Sequence, residues 1–150
     1  DQKVKKQKQY STFVQSPEQM SLIGRGVGMG GGALSGILIF TMEDWERMVK
    51  DFPDEKLILV RPDTVPDDIP LIFKVDGLVT AKGGATSHAA VAAASLGKVC
   101  IVNCKNLLVN ELEKNCTING TTLNLGDRIS IDGNLGNVYL GTYDIRTNDV

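Results

Sequence analysis

The only histidine, His88, follows Gly83-Gly84-Ala85-Thr86-Ser87 and precedes Ala89-Ala90-Val91-Ala92-Ala93-Ala94. Imidazole titrates closer to neutral pH than any other side chain, so it offers an uncharged nitrogen nucleophile. Paired glycines let a backbone approach a ligand closely. The free N–H groups of a helix start attract an anion. A histidine that accepts a phosphoryl group needs these three things together. His88 is therefore the candidate nucleophile, and Gly83, Gly84, Thr86 and Ser87 are the candidate phosphate donors. The same residues also suit a plainer role, with Ser87 or Thr86 as a helix N-cap after an ordinary glycine turn. The local residues leave both readings open.

The flanking sequence supplies elements to position the histidine. Gly77-Leu78-Val79-Thr80-Ala81 reads as a buried strand, and the alanines after His88 predict a helix over 87–97. Upstream, residues 34–40 read as a strand. Thr41-Met42-Glu43-Asp44 opens a helix with an N-cap and early acids. Trp45, Met48, Val49 and Phe52 form a core-facing stripe on it, and Pro53 ends it. Residues 56–60 form a further strand and 66–73 a short helix, so strands and helices alternate as in an α/β layer. Beyond Cys104, residues 107–109, 116–118, 122–125, 128–131 and 137–140 are short strands separated by Gly/Asn/Asp turns. They predict a β-meander closing a β/β/α sandwich. Gly26-Val27-Gly28-Met29-Gly30-Gly31 matches GxGxxG, but a strand follows it where a dinucleotide site needs a helix. These glycines are expected to form a loop between strands that faces His88.

Composition narrows the partners. The chain has 150 residues, 42% of them hydrophobic, which suits one domain with a buried core. A net charge of -2 argues against nucleic acid or an acidic membrane as a partner. No apolar run is long enough for a bilayer and no signal-peptide pattern is present, so a cytoplasmic location is expected, or an organelle if a targeting segment precedes Asp1. Cys100, Cys104 and Cys116 with one histidine make no zinc pattern, so no metal site is expected. Cys100 and Cys104 are expected on one face of a buried strand, as reduced core residues. Two Asn-x-Thr triplets, at 115–117 and 119–121, carry no weight in a chain that is not secreted. Residues 1–20, with Lys3, Lys5, Lys6 and Lys8, read as a flexible polar linker, and 21–145 as the domain.

Several segments together resemble the phosphohistidine (mobile, or swivelling) domain of phosphoenolpyruvate-utilising enzymes, and within it the pyruvate phosphate dikinase type. Residues 59–68 (LVRPDTVPDD) are similar to the segment before the histidine strand, and 77–91 (GLVTAKGGATSHAAV) to the histidine signature. Residues 97–104 match the following strand, and 126–133 and 136–141 the tail. The resemblance implies a swivelling β/β/α fold with His88 shuttling phosphate between a nucleotide-binding domain and a phosphoenolpyruvate/pyruvate domain. No cofactor is implied for this domain itself, and magnesium is expected in the partners. The overall reaction implied interconverts ATP, phosphate and pyruvate with AMP, pyrophosphate and phosphoenolpyruvate. Thr86 matches the position modified in regulated dikinases. Thr64, Arg61 and Lys82 are supporting candidates, although Thr64 also suits a turn and either cation also suits a surface. The family usually carries an arginine six residues after the histidine, where this chain has Ala94. Alternatives are the same domain of a phosphoenolpyruvate synthase or of an enzyme I-like protein, or a non-catalytic docking relative.

Overall fold

The computed structural model describes residues 9–63, 68–82 and 88–149. Thirteen strands, three α-helices and one short 3-10 helix (Pro17–Gln19) follow one another in these segments. The strands are β1 (Gln9–Phe13), β2 (Leu22–Arg25), β3 (Val27–Gly28), β4 (Ala33–Ile39), β5 (Leu57–Arg61), β6 (Gly77–Thr80) and β7 (Val99–Val102), then β8 (Leu107–Asn110), β9 (Asn115–Ile118), β10 (Thr121–Asn124), β11 (Arg128–Asp132), β12 (Asn137–Leu140) and β13 (Ile145–Asp149). The helices are α1 (Met42–Asp51), α2 (Ile69–Lys74) and α3 (His88–Ser95). No helix among the described residues is long and apolar enough to cross a membrane.

Eight strands form one sheet in the order β2-β12-β11-β4-β5-β6-β7-β3. Its centre, β4 to β7, is parallel, and α1, α2 and α3 link successive strands. Parallel strands covered on both faces read as unbroken apolar runs. Residues 57–60 (LILV), 77–80 (GLVT) and 99–102 (VCIV) are each buried throughout. One face packs Leu59, Leu78, Cys100 and Val102 against the helices, through Met48, Leu71, Ile72 and Ala93. The other packs Leu38, Val60, Val79 and Ile101 against Leu107, Cys116, Ile118 and Leu123 of a separate antiparallel sheet, β10-β9-β8. The result is the expected β/β/α sandwich.

The meander is shorter than the turn signals implied. It stops at β10, while β11 returns antiparallel to β4 and β12 joins β11 within the large sheet. Local alternation identifies a strand but not its partner, and this pairing is long-range. The polar start also departs from a plain linker over its described part, because β1 pairs with β13 from Gln9↔Asp149 to Phe13↔Ile145. Phe13, Tyr139 and Tyr143 meet edge to face beside this ribbon, with centroids 5.7 to 6.4 Å apart.

The glycine-rich segment is more than a loop. β2 and β3 are separated in sequence only by Gly26, yet they lie at opposite ends of the strand order. The sheet therefore curls until its two edges are joined by one residue. Closure is stitched by Gly26 N–H to Gly136 O (2.8 Å), Gly30 N–H to Gly133 O (2.8 Å) and Met29 N–H to Cys100 O (2.8 Å). A Cβ on Gly28 would strike the carbonyl of Gly133, and one on Gly133 would strike that of Gly30. Backbones can meet this closely only without side chains.

α1 begins with the N-cap that its sequence implied, and the structure makes that cap reciprocal. Thr41 Oγ1 accepts from Asp44 N–H (3.2 Å), and Asp44 Oδ2 accepts from the N–H groups of Thr41 (2.9 Å) and Phe40 (3.0 Å). Lys114, in the β8–β9 turn, also reaches Asp44 Oδ1 at 3.1 Å and Thr41 Oγ1 at 2.9 Å. The apolar stripe of α1 is only partly covered. Met48 is buried and Trp45 lies under the Lys74 ammonium at 4.7 Å, but Val49 and Phe52 stay exposed. Helical spacing predicts a stripe without saying how far a neighbour extends over it. Asp44→Ala should cost about 2–3 kcal/mol, because it strands the buried Phe40 N–H and frees Lys114. Asp44→Asn should cost less, since it keeps an acceptor. Urea denaturation of the two variants checks the order.

Candidate functional site

In α/β sheets, open or closed, ligands gather beyond the carboxyl ends of the parallel strands. That end is held here by a ladder of bonds between consecutive strand exits. Ala81 N–H donates to Arg61 O (3.2 Å), Lys82 N–H to Pro62 O (3.0 Å), and Cys104 N–H to Thr80 O (2.9 Å). The Thr80 hydroxyl turns back to Lys82 O at 2.5 Å. The exits of β5, β6 and β7 thus form one frame, and the chain leaves it after Lys82 toward the candidate segment.

His88 is the first residue of α3, so it stands at a helix start after the β6 exit. Gly83, Gly84, Thr86 and Ser87 lie outside the described residues, as does Thr64. α3 ends within its expected range. Gly97 N–H returns to Ala94 O at 3.0 Å and Lys98 N–H to Ala93 O at 3.0 Å, which satisfies carbonyls left over at the helix end.

The two supporting cations differ. Lys82 is exposed, and its backbone is bonded to the frame. Arg61 is not a plain surface charge, because both of its Nη groups are engaged within the domain. Its Nη1 donates to Phe40 O (3.2 Å) and pairs with Glu111 (2.5 Å), while Nη2 pairs with Asp68 (3.3 Å). These partners come from the β4 exit, the β8–β9 turn and the residue preceding α2. Arg61 therefore fastens three elements around the strand exits. Sequence reasoning did not single out Glu111 or Asp68. The only signal was an acid in each of two turns, which a solvated surface explains equally well.

Comparison with known proteins gives a consistent result. Residues 53–136 match the family described as PEP-utilising enzyme, mobile domain. The pyruvate, phosphate dikinase of Rickettsia conorii is 37% identical over 130 residues, which is 87% of this chain and 14% of that protein. The chloroplastic pyruvate, phosphate dikinase 1 of Arabidopsis thaliana is 39% identical over 120 residues, covering 80% of this chain and 12% of that protein. The Clostridium symbiosum dikinase is 38% identical over 128 residues, with 85% and 14% covered. The chain thus spans about one-seventh of the length of these relatives.

The thiols lie inside the framework rather than at its rim. Cys100, Cys104 and Cys116 are free and buried. Cys100 and Cys104 do not share a face as their even spacing implied. β7 stops at Val102, and Asn103 takes a left-handed φ of 52°, so Cys100 packs with the helices and Cys104 with the meander. Burial raises Cys100 and Cys104 from the ordinary 9.0 to about 11, and Cys116 to about 12. Above pH 9.0 the unfolded thiols lose protons that the folded ones keep. Their contribution to stability is therefore complete below that pH and is lost as pH rises toward 11–12. The urea midpoint should fall over this window, and it should fall less steeply in Cys116→Ala. A thiol-specific disulfide reagent should leave the native chain unmodified at neutral pH and label it fully in denaturant.

Proposed function

The chain belongs to the mobile-domain family of PEP-utilising enzymes, and from that premise we propose that it is the phosphoryl carrier of a pyruvate phosphate dikinase-like enzyme, with His88 as the carrier residue. One observation carries the proposal. The chain's only histidine, inside the family's signature, opens a helix directly after the bonded exit of a central parallel strand. A nucleophile there can meet a donor from outside the domain while the sheet holds it in place.

The chemistry follows from the residue types. A ring nitrogen of neutral imidazole directs its lone pair at phosphorus. The P–N bond forms as the bond from phosphorus to the leaving oxygen breaks, and that oxygen takes the electron pair. With phosphoenolpyruvate as donor the leaving group is the pyruvate enolate, which then takes up a proton. On the nucleotide side the imidazole would take the pyrophosphoryl group of ATP as AMP leaves, and inorganic phosphate would then take the outer phosphoryl group and leave as pyrophosphate, so that phosphohistidine remains to phosphorylate the enolate of pyruvate. Gly83, Gly84, Thr86 and Ser87 would supply N–H and hydroxyl donors to the phosphoryl oxygens. Lys82 would add charge at the exit, and Thr64 would reach in from the neighbouring loop. Arg61 keeps the positioning role that its ion pairs give it.

The missing parts are domains that bind nucleotide and phosphoenolpyruvate/pyruvate, fused or separate. The relatives' length supports the presence of further domains. Any magnesium belongs to those domains. Ala94 favours a second reading, a non-catalytic docking relative, because a phosphate clamp there would be absent. Position 94 lies about 240° round the helix from His88, so an arginine would have to curl back over the helix start.

Two experiments test the proposal. Given labelled phosphoenolpyruvate and the phosphoenolpyruvate-binding part of a related dikinase, the chain should gain acid-labile label, and His88→Asn should gain none. Undiminished labelling of that variant would end the carrier assignment. In single-turnover measurements, Ala94→Arg should speed labelling by about one to two orders of magnitude if the clamp matters, the scale of one charge-assisted hydrogen bond. Equal rates would mean that Ala94 is harmless and the docking reading loses its support.

A further inference from the structure

A second polar site lies where the sheet closes. A half-open cleft of about 390 Å³ runs between the sheet edge and the meander, lined by Arg25, Lys105, Asn103, Asn106 and Asn119 around the backbone at Gly26. It opens beyond the β7 exit on the meander side, whereas α3 packs on the other face. Two cations line it and no carboxylate does, in a chain whose net charge is -2. Among the described residues neither Arg25 nor Lys105 forms an ion pair, unlike Arg61, Lys114 and Arg128.

The cleft is built rather than incidental. Arg25 Nε donates to Asn137 Oδ1 at 3.1 Å, and Asn137 Nδ2 donates to the Tyr139 hydroxyl at 2.8 Å. Asn137 is 4% exposed and Tyr139 1%, so two buried side chains orient the guanidinium through its Nε, and among the described residues its Nη groups form no ion pair. Lys105 is placed by its own N–H, which donates to Arg25 O at 3.1 Å. Asn106 donates to Asn119 at 2.6 Å, and Asn119 donates to Ile23 O at 3.0 Å, which fixes two of the amides. Three of the four described non-glycine residues with left-handed backbone are Asn103, Asn106 and Asn119. Asparagine adopts this conformation more readily than other residues with a side chain, and here it turns the chain at three points around the cleft.

We infer that this cleft binds a phosphorylated small molecule, with its phosphate oxygens on Arg25 and Lys105 and its uncharged part against the asparagine amides. A guanidinium fork and an ammonium lining one cleft together suit an oxyanion with several acceptor oxygens. The volume lies within the range of small-molecule sites and exceeds what a lone carboxylate fills. The site is independent of His88 and stands or falls apart from the carrier role.

Titration of the ¹⁵N-labelled chain with ATP, pyrophosphate and adenosine, followed by NMR, tests the inference. ATP should give saturable shifts confined to the cleft residues, and adenosine should give none. Pyrophosphate binding as tightly as ATP would identify the phosphate chain alone as the ligand, and tighter ATP binding would identify a nucleotide. Lys105→Ala, at an exposed side chain, should weaken ATP about tenfold, and Arg25→Ala at least as much. His88→Ala should leave the affinity unchanged. Shifts that fail to saturate, adenosine binding as tightly as ATP, or an affinity untouched by both cation substitutions would overturn the site.

Discussion

The contact between glycine backbones at the sheet's seam is the constraint on which the other features depend. Gly28 and Gly30 lie against Gly133 so closely that a single Cβ on Gly28 or Gly133 would collide with a carbonyl. Because they fit, β2 and β3 can follow each other in the chain while occupying opposite edges of the sheet. That closure gives β7 its outer neighbour, since Val27 pairs with Val102. It also covers part of the β7 edge, which would otherwise present unpaired backbone groups. Arg25 and Gly26 sit at the joint, so the seam places the cleft as well.

Two ionic fastenings then hold the layers in register. Arg61 ties the β4 exit, the residue before α2 and the β8–β9 turn together, and Lys114 ties the same turn to the start of α1. Partly buried pairs of this kind return little net stability once desolvation is counted. Their effect is geometric, because they fix which turn of the meander meets which end of the parallel sheet. With the exits of β5, β6 and β7 bonded to one another, the path from Lys82 toward His88 leaves a rigid frame. The carrier role proposed for His88 would need such a frame.

Much of this was legible in the sequence. Apolar runs such as 57–60 announced the parallel strands, Thr41 and Asp44 announced the cap of α1, and the Gly/Asn turns announced the short strands after Cys104. These signals are local, set by neighbours within a few residues. What remained hidden was long-range. Nothing near Arg128 shows that β11 returns to β4, and nothing near Gln9 shows that it pairs with Asp149. Even spacing placed Cys100 and Cys104 on one face because it assumed a strand that Asn103 in fact ends. For the candidate site, the histidine and its helix were legible from composition and order. The fastening of Arg61 was not, since it depends on acids 7 and 50 residues further along the chain.

The most direct test of the carrier role is to locate the phosphoryl group on the chain itself. After incubation with phosphoenolpyruvate and a phosphoenolpyruvate-binding partner, digestion with trypsin under alkaline conditions should release the peptide between Lys82 and Lys98, which contains His88. Fragmentation should place one phosphoryl group on the imidazole of His88, lost on brief acid treatment. An acid-stable phosphoryl group on Thr86 or Ser87, or an unmodified peptide beside a turned-over donor, would contradict it.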